Sequence, residues 1–293
     1  MKLALKIDVD TYLGTRDGVP RLVRLLQLHE ASATFLFSLG PDHTGRAIKR
    51  VFRKNFLSKV RRTSVLEHYG LRTLLYGTLL AGPDIGRRCA GEMRAVKAAG
   101  FEVGVHCWDH VRWQDNVARQ DADWTEREMR KAFDRFKEIF GVDSMVHGAA
   151  GWQLNRHAAW FEERHFAYAA DTRGREPFRP LWDGVAIGCP QIPTTLPTLD
   201  EVVGIHDDVV SHLRGLTAKP SNHVFTAHAE LEGGDWHDIF DALLSSWRDQ
   251  GYELVSLKSL YDSLDVDRLP RNEIILGEIP GRSGTLALQA SSS

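Results

Sequence analysis

Leu3-Ala4-Leu5-Lys6-Ile7-Asp8-Val9-Asp10, near the amino terminus, and Phe101-Glu102-Val103-Gly104-Val105-His106-Cys107-Trp108-Asp109-His110, a third of the way along, decide the fold class. Each is a β-like run that ends on side chains able to do chemistry. The first delivers two aspartates one residue apart. The second, entered after a Gly100 stop, delivers two imidazoles four residues apart. Either alone says little: a D-x-D after an apolar run occurs at nucleotide-sugar metal sites and at solvated strand ends alike, and an H-x-x-x-H on a helix is more often a polar face than a ligand pair. Here the residues from His106 to His110 follow a strand, so both imidazoles are expected in a strand-to-helix loop. Strand carboxyl ends are where α/β enzymes gather residues distant in sequence. Together the two runs supply one carboxylate and two imidazoles to a divalent metal. Three protein ligands leave positions open for water and substrate, which is the pattern of a catalytic centre. The second aspartate is then free to take a proton from water, and the reaction class this implies is hydrolysis.

Outward from these runs, strand and helix signals alternate, which predicts parallel strands joined by helices. A helix is expected over 19–29, with Leu22, Leu25, Leu26 and His29 on one face and Pro20 in its first turn, then a strand over 33–37. Asp84 opens a helix that Gly100 closes. Thr125-x-x-Glu128 reads as a capping box for a helix whose stripe of Met129, Phe133, Phe136 and Phe140 runs to Gly141. Further helices are expected over 155–164, 235–250 and 257–264, and strands over 223–226 and 252–255. The chain of 293 residues, 43% apolar, is long enough for one large core, and it shows no internal repeat or linker. Residues 1–265 read as one catalytic domain. Residues 266–293 read as a weakly patterned C-terminal extension, disordered over 290–293.

The three cysteines, Cys89, Cys107 and Cys189, form no C-x-x-C pair and leave an odd thiol in any pairing, which suits a reducing compartment. No secretory h-region precedes Asp8, and no run approaches the ~20 apolar residues of a spanning helix, so a cytoplasmic protein is expected. Net charge is only −2, but it is unevenly spread: nine Lys/Arg against Glu67 make residues 46–72 +8 and leave −10 for the remainder. Ile48, Val51, Phe52, Phe56 and Val60 fall on one helical face there, and Leu71, Leu74, Leu75 and Leu79 form a second stripe. The 46–80 stretch thus reads as a basic amphipathic helical insertion, with Arg50, Arg53, Lys54, Arg61 and Arg62 facing a membrane surface.

The motifs together resemble those of the polysaccharide deacetylase superfamily, the NodB-homology or carbohydrate esterase family 4 domains. The likeness rests on Lys6-Ile7-Asp8-Val9-Asp10-Thr11 with Gly14-Thr15-Arg16, Ser38-Leu39-Gly40-Pro41-Asp42, the His106–His110 run, Ala149-Ala150-Gly151-Trp152, Pro177-Phe178-Arg179-Pro180, Gln191-Ile192-Pro193 through Thr198, and His228-Ala229-Glu230. Within that superfamily the likeness is nearest to the deformylases of a lipid-linked formamido sugar. It implies a distorted (β/α) barrel of the NodB-homology type. It also implies Asp8 as catalytic base, Asp10, His106 and His110 as metal ligands, His228 as the acid that protonates the leaving nitrogen, and Asp171 as the carboxylate that orients His228. Backbone N–H groups near Gly151 and Trp152 would hold the oxyanion. The implied substrate is a formamido sugar on undecaprenyl phosphate, met at the cytoplasmic face of the inner membrane, with formate released and the amino sugar passed to lipid A modification and polymyxin resistance. One departure stands out: the Ala149–Trp152 stretch lacks the arginine that contacts the base in many members, and Arg173 or Arg179 is the expected replacement.

Arg173, Arg175 and Arg179 could also meet a phosphate bidentately, although the proline-stiffened loops that carry them could equally brace the barrel. Zn, Mn, Co, Fe and Ni are not distinguished by N/O ligation of this kind. Two alternatives remain: an N-deacetylase of another soluble or lipid-linked amino sugar, and a membrane-binding module with a vestigial site. Nucleic acid is not expected as the partner of the basic stretch.

Overall fold

The computed structural model describes residues 1–51, 75–280, 282 and 284–291. Strands follow in chain order as β1 (Lys2–Val9), β2 (Thr34–Ser38), β3 (Glu102–Cys107), β4 (Val146–His147), β5 (Tyr168–Ala169), β6 (Arg179–Trp182), β7 (Val185–Ala186), β8 (His223–His228), β9 (Glu253–Val255), β10 (Arg271–Gly277) and β11 (Leu286–Gln289). The main sheet runs β5-β4-β3-β2-β1-β8, with β9 beside the start of β1, and every pairing in it is parallel. Parallel neighbours require crossovers. These include α1 (Val19–Leu28), α2 (Thr44–Val51), α3 (Ala90–Ala98), α4 (His110–Asn116), α5 (Ala122–Phe140), α6 (Arg156–His165), α7 (Leu199–Val202) and α8 (His237–Asp249). The result is a curled parallel half-barrel wrapped by helices.

The two-residue period of β1 separates its two sides. Leu3, Leu5, Ile7 and Val9 join Leu22, Leu25 and Leu26 of α1 in the core beneath the helices. Ala4 points the other way, into a smaller apolar cluster with Leu36, Val146, Tyr168, Ile192 and Val224 that fills the floor of the curl. Lys6 and Asp8 share the Ala4 side and rise from that floor toward the carboxyl end. Residues 190–196 span the gap between β5 and β8 without forming a strand: Ile192 N donates to Ala169 O, Leu196 N donates to Val224 O, and Thr194 Oγ1 lies 2.7 Å from Thr226 Oγ1. This irregular segment is the distortion in the barrel.

Three local expectations are corrected. Asp121, not Thr125, caps α5: its side chain accepts from Trp124 N, while Thr125 sits buried inside the first turn and donates to Asp121 O. An aspartate one turn earlier, in extended geometry, takes the cap first. The stripe of Met129, Phe133, Phe136 and Phe140 is buried as expected, and Gly141 ends the helix at φ 72°. Leu75 and Leu79 do not continue a helix, because 75–80 forms a tight turn with Gly77 at φ 74°. The readings on Phe52, Arg53, Lys54, Phe56, Val60, Arg61, Arg62, Leu71 and Leu74, and on the Arg50 side chain, lie outside the described residues. The C-terminal stretch supplies β10 and β11, which build a second sheet in the order β11-β10-β6-β7. Ala290 N donates to Glu273 O, and Ser292 and Ser293 lie outside the described residues. Among the described residues no helix is long and apolar enough to cross a membrane.

Candidate active site

The carboxyl ends of β1 and β3 bring Asp10, His106 and His110 together. His106 donates from Nδ1 to Gly148 O at 2.5 Å, which leaves the lone pair on Nε2, 3.1 Å from Asp10 Oδ1. His110 opens α4, capped by Asp109, and its Nε2 lies 3.2 Å from Asp10 Oδ2. Asp10 Oδ1 is buried and has no hydrogen-bond partner. An acceptor nitrogen and an acceptor oxygen in van der Waals reach, with no proton between them, are reconciled by a cation, and these three residues could hold a metal ion. Burial works to raise Asp10, but the neighbouring imidazoles, the charge of His110 foremost, hold it well below the usual carboxylate value, so it stays ionised as a ligand must.

Asp8 lies two residues back on the same face of β1. Its Oδ2 is 3.0 Å from Lys6 Nζ, both side chains are buried, and its Oδ1 is 3.8 Å from His106 Nδ1. Asp8 and His228 are register partners on neighbouring strands, so they project to one side of the sheet. Glu230 Oε1 accepts from Asp10 N, Thr11 N and Thr11 Oγ1, and Glu232 Oε2 accepts from His228 N. Burial first, and then the charge of Asp10, push Glu230 up to about 8; burial and Asp200 push Glu232 to about 8. Nine buried side-chain polar atoms lack a hydrogen-bond partner among the described residues, and five of them belong to Asp8, Asp10, His228, Glu230 and Glu232. Such atoms are rare in folded proteins, and their concentration here marks a place built to meet a ligand.

The chain is 38% identical over 295 residues to the probable 4-deoxy-4-formamido-L-arabinose-phosphoundecaprenol deformylase ArnD of Shewanella sediminis (strain HAW-EB3), covering 99% of this chain and 95% of that one. It is 30% identical over 283 residues to the protein of the same name from Wigglesworthia glossinidia brevipalpis, covering 94% and 98%. This chain belongs to that deformylase family. It is a hydrolase of an amide carbon–nitrogen bond, a deformylase or deacetylase. In fold it is similar to a Mycobacterium smegmatis protein assigned to the polysaccharide deacetylases, with TM-score 0.61, 14% identity, and coverage of 95% of this chain and 96% of that one. No family model matches the chain.

In this deformylase fold Asp8, Asp10, His106, His110 and His228 converge, as their positions at strand ends led one to expect. Two expectations do not hold. The cation beside Asp8 is Lys6, not Arg173 or Arg179: Arg173 is bound to Glu201 at 2.6 Å and to Leu196 O at 3.2 Å, and Arg179 lies on the second sheet with Nη1 3.5 Å from Asp267 O. Asp171 makes no hydrogen bond to His228, whose Nδ1 has no partner among the described residues. Asp171 Oδ1 accepts from Ala149 N at 2.5 Å and stands 3.0 Å from His147 Nδ1, and its Oδ2 accepts from Gln191 Nε2. Gly151 and Trp152 form a left-handed turn, at φ 63° and 53°, and the Trp152 ring meets His228 edge-on at 6.3 Å between centroids. Three cations surround that indole: Lys6 Nζ at 5.1 Å, Arg173 at 5.0 Å and Arg282 at 4.8 Å from the ring centre. Lys6 could have been found from parity with Asp8 along β1. Arg282, which also bonds Glu201, Thr198 and Asp200, comes from the tail and carried no sequence signal.

Proposed function

We propose that this chain removes the formyl group from 4-deoxy-4-formamido-L-arabinose carried on undecaprenyl phosphate, in a metal-dependent hydrolysis that yields formate and the 4-amino sugar lipid. The observation that carries the reading is the convergence of Asp10, His106 and His110 beside the register pair Asp8 and His228. The near full-length likeness to the named deformylases supports the substrate. A divalent ion on the three donors would supply Lewis acidity, polarising the formyl carbonyl and lowering the pKa of water. Asp8 takes the proton of the attacking water, and Lys6 holds its carboxylate in position. His228 gives a proton to the sugar nitrogen as the C–N bond breaks, because an amide anion is too basic to leave. Trp152 N–H is engaged by Ala149 O at 3.1 Å, so an oxyanion contact from this turn falls to the Gly151 N–H.

A polyprenyl-phosphate substrate is confined to a bilayer, and the basic 46–72 stretch supports peripheral binding at the cytoplasmic leaflet. The test is mass spectrometry of the formamido-arabinose lipid incubated with the protein, with and without chelator. Loss of formyl that stops on chelation is the expected result. Turnover of an acetamido sugar, with the formamido lipid untouched, would move the reading to an N-deacetylase.

A further inference from the structure

Three consecutive residues tie a buried cluster to the ligand His106. His147 Nδ1 lies 2.8 Å from Glu162 Oε1 and 3.0 Å from Asp171 Oδ1; Gly148 O accepts the His106 Nδ1 proton at 2.5 Å; Ala149 N donates to Asp171 Oδ1 at 2.5 Å. The three titratable side chains come from β4, α6 and the residue pair after β5, and all are buried. Gln191, from the segment that closes the barrel, locks the other side of Asp171 by donating to Oδ2 at 2.9 Å and accepting from Asp171 N at 3.1 Å.

Burial works to lower His147, but the charges and bonds of Asp171 and Glu162 outweigh it and push the imidazole up to about 10. Burial and the Asp171 charge push Glu162 up to about 8. Burial works to raise Asp171, yet His147 and Gln191 hold it below the usual value. Near neutral pH the cluster is therefore an imidazolium, one carboxylate and one carboxylic acid, with no net charge. These atoms are also close enough to hold an ion, but the His147 Nδ1 proton already lies between the two acids. A buried ionic group is a poor source of stability compared with apolar packing, so its retention asks for a role in fixing position.

We infer that His147, Glu162 and Asp171 are positioning residues for the metal centre: they fix the 147–149 backbone and, through Gly148 O, the ring orientation and tautomer of His106. The inference rests on the metal reading above. An imidazole ligand held through its far nitrogen by a carbonyl loses affinity for its metal when that support is disturbed. Asp171 on this account serves His106, not His228.

Co2+ alone is the probe, titrated into the full chain and followed by its visible absorption and by chelator competition, with folding checked by circular dichroism. Wild type, Asp171→Asn, Glu162→Leu and Glu162→Gln are compared, with kcat and KM on the lipid measured in parallel. Asp171→Asn sets an amide N–H₂ against groups that are themselves donors, and is expected to weaken Co2+ binding by ~10–100-fold. Glu162→Leu removes an acceptor from His147 and is expected to weaken it in the same direction. Glu162→Gln keeps that acceptor and is expected to bind Co2+ nearly as wild type. Glu162 touches neither His106 nor His228, so Glu162→Leu decides the matter should Asp171→Asn not fold. Wild-type Co2+ affinity in folded Asp171→Asn or Glu162→Leu, with kcat alone reduced, overturns the inference and returns Asp171 to the service of His228. A wild type that takes up no Co2+ overturns the metal reading itself, and this inference with it.

Discussion

Lys6 has no solvent exposure, and its ammonium is held at 3.0 Å from the Asp8 carboxylate. The pair lies two residues apart on one face of β1, where a Cβ on Gly148 would come within 3.1 Å of Lys6 Cε, so a glycine there keeps the lysine's path open. Removing one partner of a buried pair leaves a charge unsatisfied. Lys6→Met is therefore expected to cost about 3 kcal/mol in denaturant unfolding. Removing the Asp8 charge as well, in Lys6→Met with Asp8→Asn, is expected to recover part of that loss; strict additivity of the two changes would show that the pair is not coupled. Asp8→Asn alone is nearly isosteric and leaves the ligands intact, so it is expected to bind metal normally and lose activity by ~100-fold or more, as a missing general base does. His110→Ala, by contrast, should lose metal and activity together, and a fully metallated, active His110→Ala would remove it from the ligand set. The aspartates and histidines that the fold brings together were legible because Asp and His at strand ends carry chemistry by type. Lys6 was not, since a lysine within an apolar strand reads first as a solvated side chain, and only its parity with Asp8 says otherwise.

Among the elements, β1, β3 and β8 were readable because each is long enough to show a period of two, while β4 and β5 have two residues apiece and no period to show. The cluster that links β4 to α6 carries no signal of that kind: β4 has no period to mark His147, and Glu162 falls inside the helix expected over 155–164. Its titration has a consequence at this scale. The folded chain holds the Glu162 proton more tightly than the unfolded chain, so that contribution to stability is whole below the ordinary value of 4.5 and is lost as pH rises toward about 8. His147, raised from 6.5 to about 10, contributes stability that is present below 6.5 and is lost as pH rises through 10. Glu232 acts with the same sign as Glu162, whereas Asp171, lowered from 3.8, acts only under acid conditions. Thermal unfolding in chelator is thus expected to show wild-type stability falling from about pH 5 to about pH 9, with a shallower fall in Glu162→Gln, which has no proton to lose. Equal slopes for the two proteins would exclude Glu162 as a titrating group in that range.

At the scale of the whole molecule, sequence distance hid how far the tail reaches: β11 brackets the backbone of Arg173, and Arg282 stacks on Trp152 beside His228. Charge asymmetry, unlike contact, was visible from composition alone, with +8 over residues 46–72 and −10 elsewhere. At the border of that stretch Leu79 is 83% exposed, with Leu75 and Leu80 also exposed, which adds apolar surface next to the basic residues. A solvated charged segment would show the same composition, so the membrane reading has to be tested by its dependence on charge. Each Lys or Arg near an anionic surface is worth about 1 kcal/mol, and five of them amount to roughly 5 kcal/mol, a more than thousandfold change in partitioning. Changing Arg50, Arg53, Lys54, Arg61 and Arg62 together to Gln is expected to abolish co-sedimentation with anionic vesicles at low salt. Wild-type binding is expected to weaken as salt is raised, since screening shortens the reach of these charges to about 8 Å at physiological ionic strength. Activity on a detergent-dispersed substrate should survive the five changes, because Asp8, Asp10 and the imidazoles are left unchanged. Equal vesicle binding by the two proteins at low salt would take this segment out of membrane docking and leave the chemistry at the barrel mouth where it is.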